Sequence, residues 1–290
     1  MSAESPTSLF DHAALTRQRR LAARRAAASG PDRPTPFFLI EEVRDRLHDR
    51  LKDINRSFQH WLDIGGLSLP GDGAAQASLT VAGPDPRASL PEHAACHPMT
   101  GEILPVAEKS FDLVTSTLGL HWVNDLPGLM IQARRALRPD GLFMVSLFGG
   151  DTLHELRHAL LAAESEVTGG ANARIAPFGD VRDLGHLLQR AGFALPVSDT
   201  DRFTVTYTDA LSLMRDLKAM GEGNALAGRR PLRRDVLMRA AARYQETHAQ
   251  PDGRIPATFE VITLTGWHPH ESQQKPLRPG SGTASLKDVL

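Results

Sequence analysis

Short apolar segments alternate with amphipathic segments along most of this chain of 290 residues. The short segments are typical of buried strands, and they lie at 58–64, 78–82, 111–117, 141–148, 203–207 and 258–266. The amphipathic segments repeat apolar residues at helical spacing, and they lie at 11–29, 37–52, 126–137, 152–167, 181–191, 210–220 and 234–247. Strands that alternate with helices form parallel sheets through right-handed crossovers. The pattern therefore predicts an α/β fold, with a mostly parallel sheet and helices on both faces.

Neither an internal repeat nor a strong linker divides the sequence. We expect an N-terminal helical extension at 1–57, a sheet domain with helical insertions at 58–267, and a tail at 268–290. The tail is rich in Pro, Gly and polar residues, which predicts irregular structure. Arg138, Pro139, Asp140 and Gly141 are expected to form the turn that closes the helix before them, because Pro and Gly interrupt helices.

Charge and cysteine content exclude several classes of protein. Lys and Arg together number 33 and Asp and Glu 34, which argues against a dedicated nucleic-acid binder. The lone Cys96 allows no internal disulfide and no cysteine cluster for a metal, which suits a reducing compartment. The sequence has neither the apolar run of a membrane span nor that of a secretory signal. We expect a cytoplasmic protein in a bacterium, or a mitochondrial matrix protein in a eukaryote.

The segment 16–25 (TRQRRLAARR) is rich in Arg and poor in acidic residues. One interpretation is a transit peptide, which has this composition. The other is a solvated helix that Asp11 caps and that ends at Gly30 and Pro31. Such a helix would turn a basic face toward an acidic partner.

The turn after the first predicted strand is a candidate cofactor loop, with the sequence Asp63, Ile64, Gly65, Gly66. In doubly wound folds glycines at this turn let a ligand approach the backbone, although a plain tight turn needs them as well. Asp85, after the second strand, could accept hydrogen bonds from ribose hydroxyls. An Asp between two prolines is also a common turn former.

The string LGLHWVNDLP at 118–127 follows a strand and opens a helix, so it lies at the carboxyl edge of the sheet. His121 offers a proton donor or acceptor near neutral pH, and Trp122 offers a flat apolar face. The alternative is that Trp122 belongs to the core and that Asp125 only caps the next helix.

Two further motifs lie near residue 150. His154 to His158 match the zinc motif H-E-x-x-H, but no third ligand follows at the expected spacing, and we predict no metal site. Gly149, Gly150 and Asp151 lead from a strand into a helix. Asp151 is predicted either to line a site or to cap that helix.

Several strings resemble the family of the methyltransferase-like mitochondrial complex I assembly factor and its alphaproteobacterial relatives, from about residue 9 to about residue 286. They are LHWVNDLP at 120–127, LRPDGLF at 137–143, FGGDTLHELR at 148–157, DLGHLLQRAGF at 183–193, LKAMGEGN at 217–224 and DGRIPA at 252–257. The region around Trp122 is also similar to the carboxyl methyltransferase of biotin synthesis. The resemblance implies a class I methyltransferase (Rossmann-like) fold that binds S-adenosylmethionine, with a respiratory complex I subunit as partner.

The resemblance also implies roles for individual residues. At the cofactor, Asp63, Gly65 and Gly66 would lie by the amino-acid end and Asp85 by the ribose. Glu102 would lie near the adenine, and Thr117 and Leu118 would line the side of the cofactor. His121 would be the catalytic residue, with Trp122 and Asp151 on the substrate side.

The chain departs from the family's glycine motif, D-x-G-x-G-x-G. Leu67 and Leu69 replace its second and third glycines, and a Cβ there could obstruct the cofactor. The segment from Gly65 to Ala82 also looks several residues too short to contain the helix whose N-terminus would support the ligand. Three functions therefore stay open, namely methyl transfer, hydroxylation of a protein arginine, and cofactor-free assistance of assembly.

Overall fold

The computed structural model describes residues 8–28, 35–68 and 78–274. Its strands are β1 His60–Ile64, β2 Ser78–Ala82, β3 Ala95–His97, β4 Phe111–Thr117, β5 Leu137–Phe148, β6 Ala194–Tyr207 and β7 Ile255–Trp267. They form one sheet in the order β3-β2-β1-β4-β5-β7-β6. The pairs among β1 to β5 are parallel, and β7 runs antiparallel to both β5 and β6. The predicted mostly parallel sheet is confirmed.

Helices cover both faces of this sheet, as the pattern predicted. They are α1 His12–Ala28, α2 Phe38–Lys52, α3 Leu126–Ala136, α4 His154–Thr168, α5 Val181–Arg190, α6 Ala210–Met220 and α7 Arg234–His248. Helices α2, α4, α6 and α7 contribute to one large apolar cluster, which also contains Phe259. Helices α3 and α5 contribute to another, together with Leu62 and Phe143. Burial of these faces stabilises the helices against the sheet.

The sheet differs from the prediction at its edges. Strand β3 was not predicted, because its three residues are exposed and carry no apolar alternation. Strand β6 begins at Ala194 and not at 203. Its first half contains the exposed Asp199 and further exposed side chains, which an edge strand tolerates because only one of its sides is paired.

The predicted turn at 138–141 is wrong, since β5 already begins at Leu137. Asp140 adopts a left-handed conformation, and a shift of register in the β4–β5 pairing lies beside this part of the strand. The segment is thus an irregular part of the strand, where the sequence indicated a loop between two elements.

Helix α1 is solvated on one side only. The Asp11 cap is confirmed, since its Oδ1 accepts from the Ala14 amide at 2.8 Å, but Ala14, Leu15, Arg19 and Ala22 are buried. The predicted end at 30–31 lies outside the described residues. Within the described ranges, no helix combines the length and apolarity needed to cross a bilayer.

Candidate functional site

Asp63 shapes the turn that follows β1. The residue is fully buried, and its Oδ2 accepts from the Ser68 amide at 2.8 Å. Its Oδ1 accepts from the hydroxyls of Ser68, at 2.9 Å, and Thr115. Thr117 donates in turn to the Ser68 hydroxyl at 3.0 Å. Two residues predicted to lie by the cofactor, Asp63 and Thr117, therefore fix the shape of this turn.

The two glycines of the turn differ in their surroundings. Gly65 has a φ of +103°, and a Cβ there would meet no heavy atom within 4 Å. Gly66 also has a positive φ, but a Cβ on it would lie 2.6 Å from Leu90. Gly66 is thus needed for packing, whereas Gly65 leaves space in which a ligand can approach the backbone.

Two leucines, Leu67 and Leu69, stand where the family motif has glycines. Leu67 is buried in the same apolar cluster as Leu39 and Leu118. Leu118 has a φ of +46° and donates its amide to the Ser146 carbonyl. Leu69 lies outside the described residues, as does the rest of 69–77 in the segment that we expected to be short.

Asp85 is held by two arginines. Its Oδ1 accepts from the amide and Nε of Arg87, both at 2.9 Å. Its Oδ2 accepts from Arg87 Nη2 and from Arg19 Nη1, both at 2.8 Å. A carboxylate offers about four acceptor positions, and these four donors use them. In this arrangement Asp85 retains no acceptor position for a ribose hydroxyl.

Glu222 completes the group of charges. Its Oε1 accepts from Arg87 Nη1 at 2.7 Å and from Arg19 Nη2 at 3.0 Å. Its Oε2 accepts from Trp122 Nε1 at 2.6 Å and lies 3.3 Å from His121 Nε2. We call Arg19, Asp85, Arg87 and Glu222 the ion cluster. Its two cations balance its two anions, as a buried group of charges requires.

The ion cluster sets the protonation states around it. Burial raises the pKa of the Asp85 and Glu222 carboxyls, but Arg19 and Arg87 outweigh burial and hold each pKa below its usual value. Burial lowers the pKa of His121, and the attraction of Glu222 does not reverse that. His121 is therefore neutral at pH 7.

One ring nitrogen of His121 lacks a hydrogen-bond partner among the described residues. Because the ionised Glu222 carboxylate can only accept, His121 Nε2 carries the proton that faces it. Nδ1 is then a lone-pair acceptor, and it is buried with no hydrogen-bond partner in the described part of the chain. The sequence predicted His121 but missed Arg19, Arg87 and Glu222. The signal for Glu222 was its place in the LKAMGEGN string, to which no role was given.

Glu102 supports the neighbouring loop. Its two carboxylate oxygens accept from the amides of Asn124 and Asp125 at 2.5 and 2.6 Å. Asp125 itself accepts from the Gly128 amide at 2.9 Å, which confirms it as the cap of α3. The carboxylate predicted near the adenine therefore holds the loop that follows Trp122.

Among the described residues, no ion pair or hydrogen bond links the motifs near residue 150 to the ion cluster. Asp151 is exposed and pairs with Arg202, and it does not cap α4, which begins at His154 after Leu153. Glu155, the glutamate of the H-E-x-x-H match, is buried and accepts from Thr258. Among the described residues, no three His, Cys, Asp or Glu side chains come together as a metal ion requires.

A cavity of about 590 Å³ opens beside the ion cluster. Trp122 and Glu222 lie in its wall, together with residues of α1, α4 and α6. Trp122 thus belongs to the core, as one alternative held, and its side chain also forms part of the cavity wall.

Comparisons with known proteins agree with this architecture. A family model described as a methyltransferase domain matches residues 37–196. The Mus musculus protein named arginine-hydroxylase NDUFAF5, mitochondrial, is 42% identical over 294 residues, which cover 97% of this chain and 83% of that protein. A malonyl-[acyl-carrier protein] O-methyltransferase from Halorhodospira halophila is 37% identical over 244 residues, 79% of this chain and 81% of the relative.

Solved structures of other proteins share the fold of this chain. A proposed methyltransferase from Bacillus halodurans C-125 has a TM-score of 0.51 at 14% identity, over 78% of this chain and 100% of that chain. Identity this low shows the architecture alone. The strand order with its reversed seventh strand, the matching domain and the identity over nearly the whole chain lead to one conclusion. The chain belongs to the class I methyltransferase superfamily and, within it, to the family of the mitochondrial arginine-hydroxylase NDUFAF5.

Proposed function

We propose that this protein binds S-adenosylmethionine over the turn after β1 and acts in the assembly of respiratory complex I, on a subunit of that complex. The observation that carries the cofactor half is the open side of Gly65, at the turn that Asp63 and Thr117 hold in shape. The assembly half is supported by similarity along nearly the whole chain to the arginine-hydroxylase family.

The first turn fits the amino-acid end of the cofactor. A Cβ at Gly65 would enter the space that a ligand needs, and glycine leaves that space free. Gly65, Thr117 and Leu118 would hold the cofactor along this edge of β1 and β4, with Gly66 packing behind them. Asp85 does not fit a ribose contact while both arginines bind it. Contacts at the ribose, and those of Glu102 at the adenine, would therefore contribute less to cofactor affinity than the turn does.

His121 would act on the acceptor. S-adenosylmethionine supplies an activated methyl group when bound. The neutral His121 can accept a proton at Nδ1 from an acceptor group, because Glu222 fixes the proton on Nε2. Trp122, whose ring centroid lies 5.4 Å from that of His121, would restrict the imidazole to one orientation. Asp151 would contact only a large substrate, since it is exposed.

A second candidate is a cofactor-free assembly protein, favoured by the full occupation of the acceptor positions on Asp85. In that case the scaffold would bind its partner through exposed surfaces such as the basic side of α1. Hydroxylation, the activity named for the mouse relative, would require an oxidant as a further reactant.

Isothermal titration with S-adenosylmethionine separates the two candidates. We expect a measurable affinity, and we expect Gly65→Val to remove it, because valine fills the open side and does not tolerate a φ of +103°. Gly169→Val is a matched control, since Gly169 also has a positive φ and open surroundings and lies at the C-terminal end of α4. Absence of heat at millimolar ligand would leave the cofactor-free candidate.

Capture of partners tests the assembly half. A tagged chain incubated with bacterial extract is expected to recover a complex I subunit. The His121→Gln variant is expected to recover the same subunit, but mass spectrometry should detect no modification on it. Recovery of no respiratory-complex subunit would contradict this part of the proposal.

A further inference from the structure

The cavity beside the ion cluster has the size and lining of a ligand site. Its volume of about 590 Å³ lies within the range of roughly 300–1,000 Å³ that small-molecule pockets occupy. Its walls are mostly apolar, and they include Phe148, Leu156, Leu160, Phe178 and Phe259. Such a lining binds the apolar body of a ligand and excludes a strongly polar one.

The charges in the lining are unequal. Four cations line the cavity, namely Arg174, Lys218, Arg229 and Arg230, against a single carboxylate, Glu222. The negative charge of Glu222 is already balanced by its ion pairs with Arg19 and Arg87. Arg174 pairs with Glu164, and Arg229 pairs with Asp11.

The other two cations are available. Lys218 and Arg230 are both exposed, and within residues 8–28, 35–68 and 78–274 their side chains make no ion pair or hydrogen bond. Leu21 of α1, which is 44% exposed, lines the same cavity. An apolar interior therefore meets an excess of positive charge where the cavity opens.

From this juxtaposition we propose that the cavity binds a single-chain acyl carboxylate. The acyl chain would lie between the aromatic walls, and the carboxylate would pair with Lys218 and Arg230. Apolar burial provides affinity and the charge pair provides orientation, as in other pockets with few polar groups. The site goes beyond the proposed function, since neither S-adenosylmethionine nor a partner protein takes part in it.

Titration of the full chain with decanoate and with decanol tests the site. We expect decanoate to bind more tightly by roughly tenfold, as one charge-assisted contact predicts. Lys218→Met with Arg230→Met should abolish this preference and keep decanol binding. Arg20→Met with Arg24→Met removes the same charge from the exposed side of α1 and should leave the preference intact.

Three results of these titrations would overturn the proposal. They are no binding of decanoate, equal binding of decanoate and decanol, and a preference that survives in the Lys218 and Arg230 double variant. Binding to anionic phosphatidylglycerol vesicles without binding of free decanoate would also overturn it, since a membrane surface would then be the partner. All titrations omit S-adenosylmethionine, so the outcome is independent of whether the cofactor binds.

Discussion

The ion cluster and the cavity lie side by side at the carboxyl edge of the sheet, yet they use charge differently. In the ion cluster every acceptor position of Asp85 and Glu222 is occupied by a donor from this chain. In the cavity Lys218 and Arg230 have no such partner among the described residues. Charges that are satisfied internally join distant segments, whereas charges left at a rim are available to a ligand. The following predictions test this difference.

Arg87→Met should have the largest effect. The change leaves Asp85 and Glu222 buried with Arg19 as their one remaining guanidinium, and loss of one partner from a buried pair costs about 3–5 kcal/mol. Urea unfolding measures this free energy. Arg20→Met, on the exposed side of α1, serves as the control. A loss below about 1 kcal/mol, the size of a surface pair, would mean that the ion cluster contributes little cohesion.

Acid should reduce the difference in unfolding free energy between wild type and Arg87→Met. The folded-state pKa values of Asp85 and Glu222 are lowered, so their contribution to stability is present above their unfolded pKa values of about 3.9 and 4.3. That contribution is lost as the pH falls through the lower folded values. The gap in unfolding free energy between wild type and Arg87→Met should therefore narrow below about pH 4. A constant gap would contradict the lowered pKa values.

Trp122→Phe should have an intermediate effect. It removes the indole N–H that donates to Glu222 at 2.6 Å, and a hydrogen bond to a charged group contributes about 1.5–3 kcal/mol. Trp61→Phe is the matched control, because Trp61 donates at 2.7 Å to the neutral hydroxyl of Thr115 and should cost about 0.5–1.5 kcal/mol. Equal losses by urea unfolding would show that the charge on Glu222 adds nothing.

Arg230→Met should have the smallest effect on stability. The side chain is exposed and makes no described pair, so the unfolding free energy should change by less than about 0.5 kcal/mol. A larger loss would mean that Arg230 serves the fold, and the contrast with the ion cluster would fail.

The limits of sequence-based prediction follow from where the signals lie. Strand β4 and helix α3 were predicted closely because each combines an apolar pattern with a local boundary, such as the Asp125 cap. Strand β3 and the first half of β6 were missed because their residues are exposed or polar, and pairing with a neighbour alone makes them strands. Helix α1 was predicted correctly as a helix, but its burial depends on contacts with remote segments, among them Trp122 and α6.

The sequence by itself determined the α/β sheet, the glycine turn after β1 and the place of His121 at the sheet edge. These features depend on periodicity and on neighbours within a few residues. Only the tertiary structure decided that Arg19 meets Glu222, across a separation of 203 residues. It also decided that Arg19 and Arg87 occupy the acceptor positions of Asp85. Ion pairs between remote segments leave no local pattern, because the fold alone brings their partners within hydrogen-bond distance.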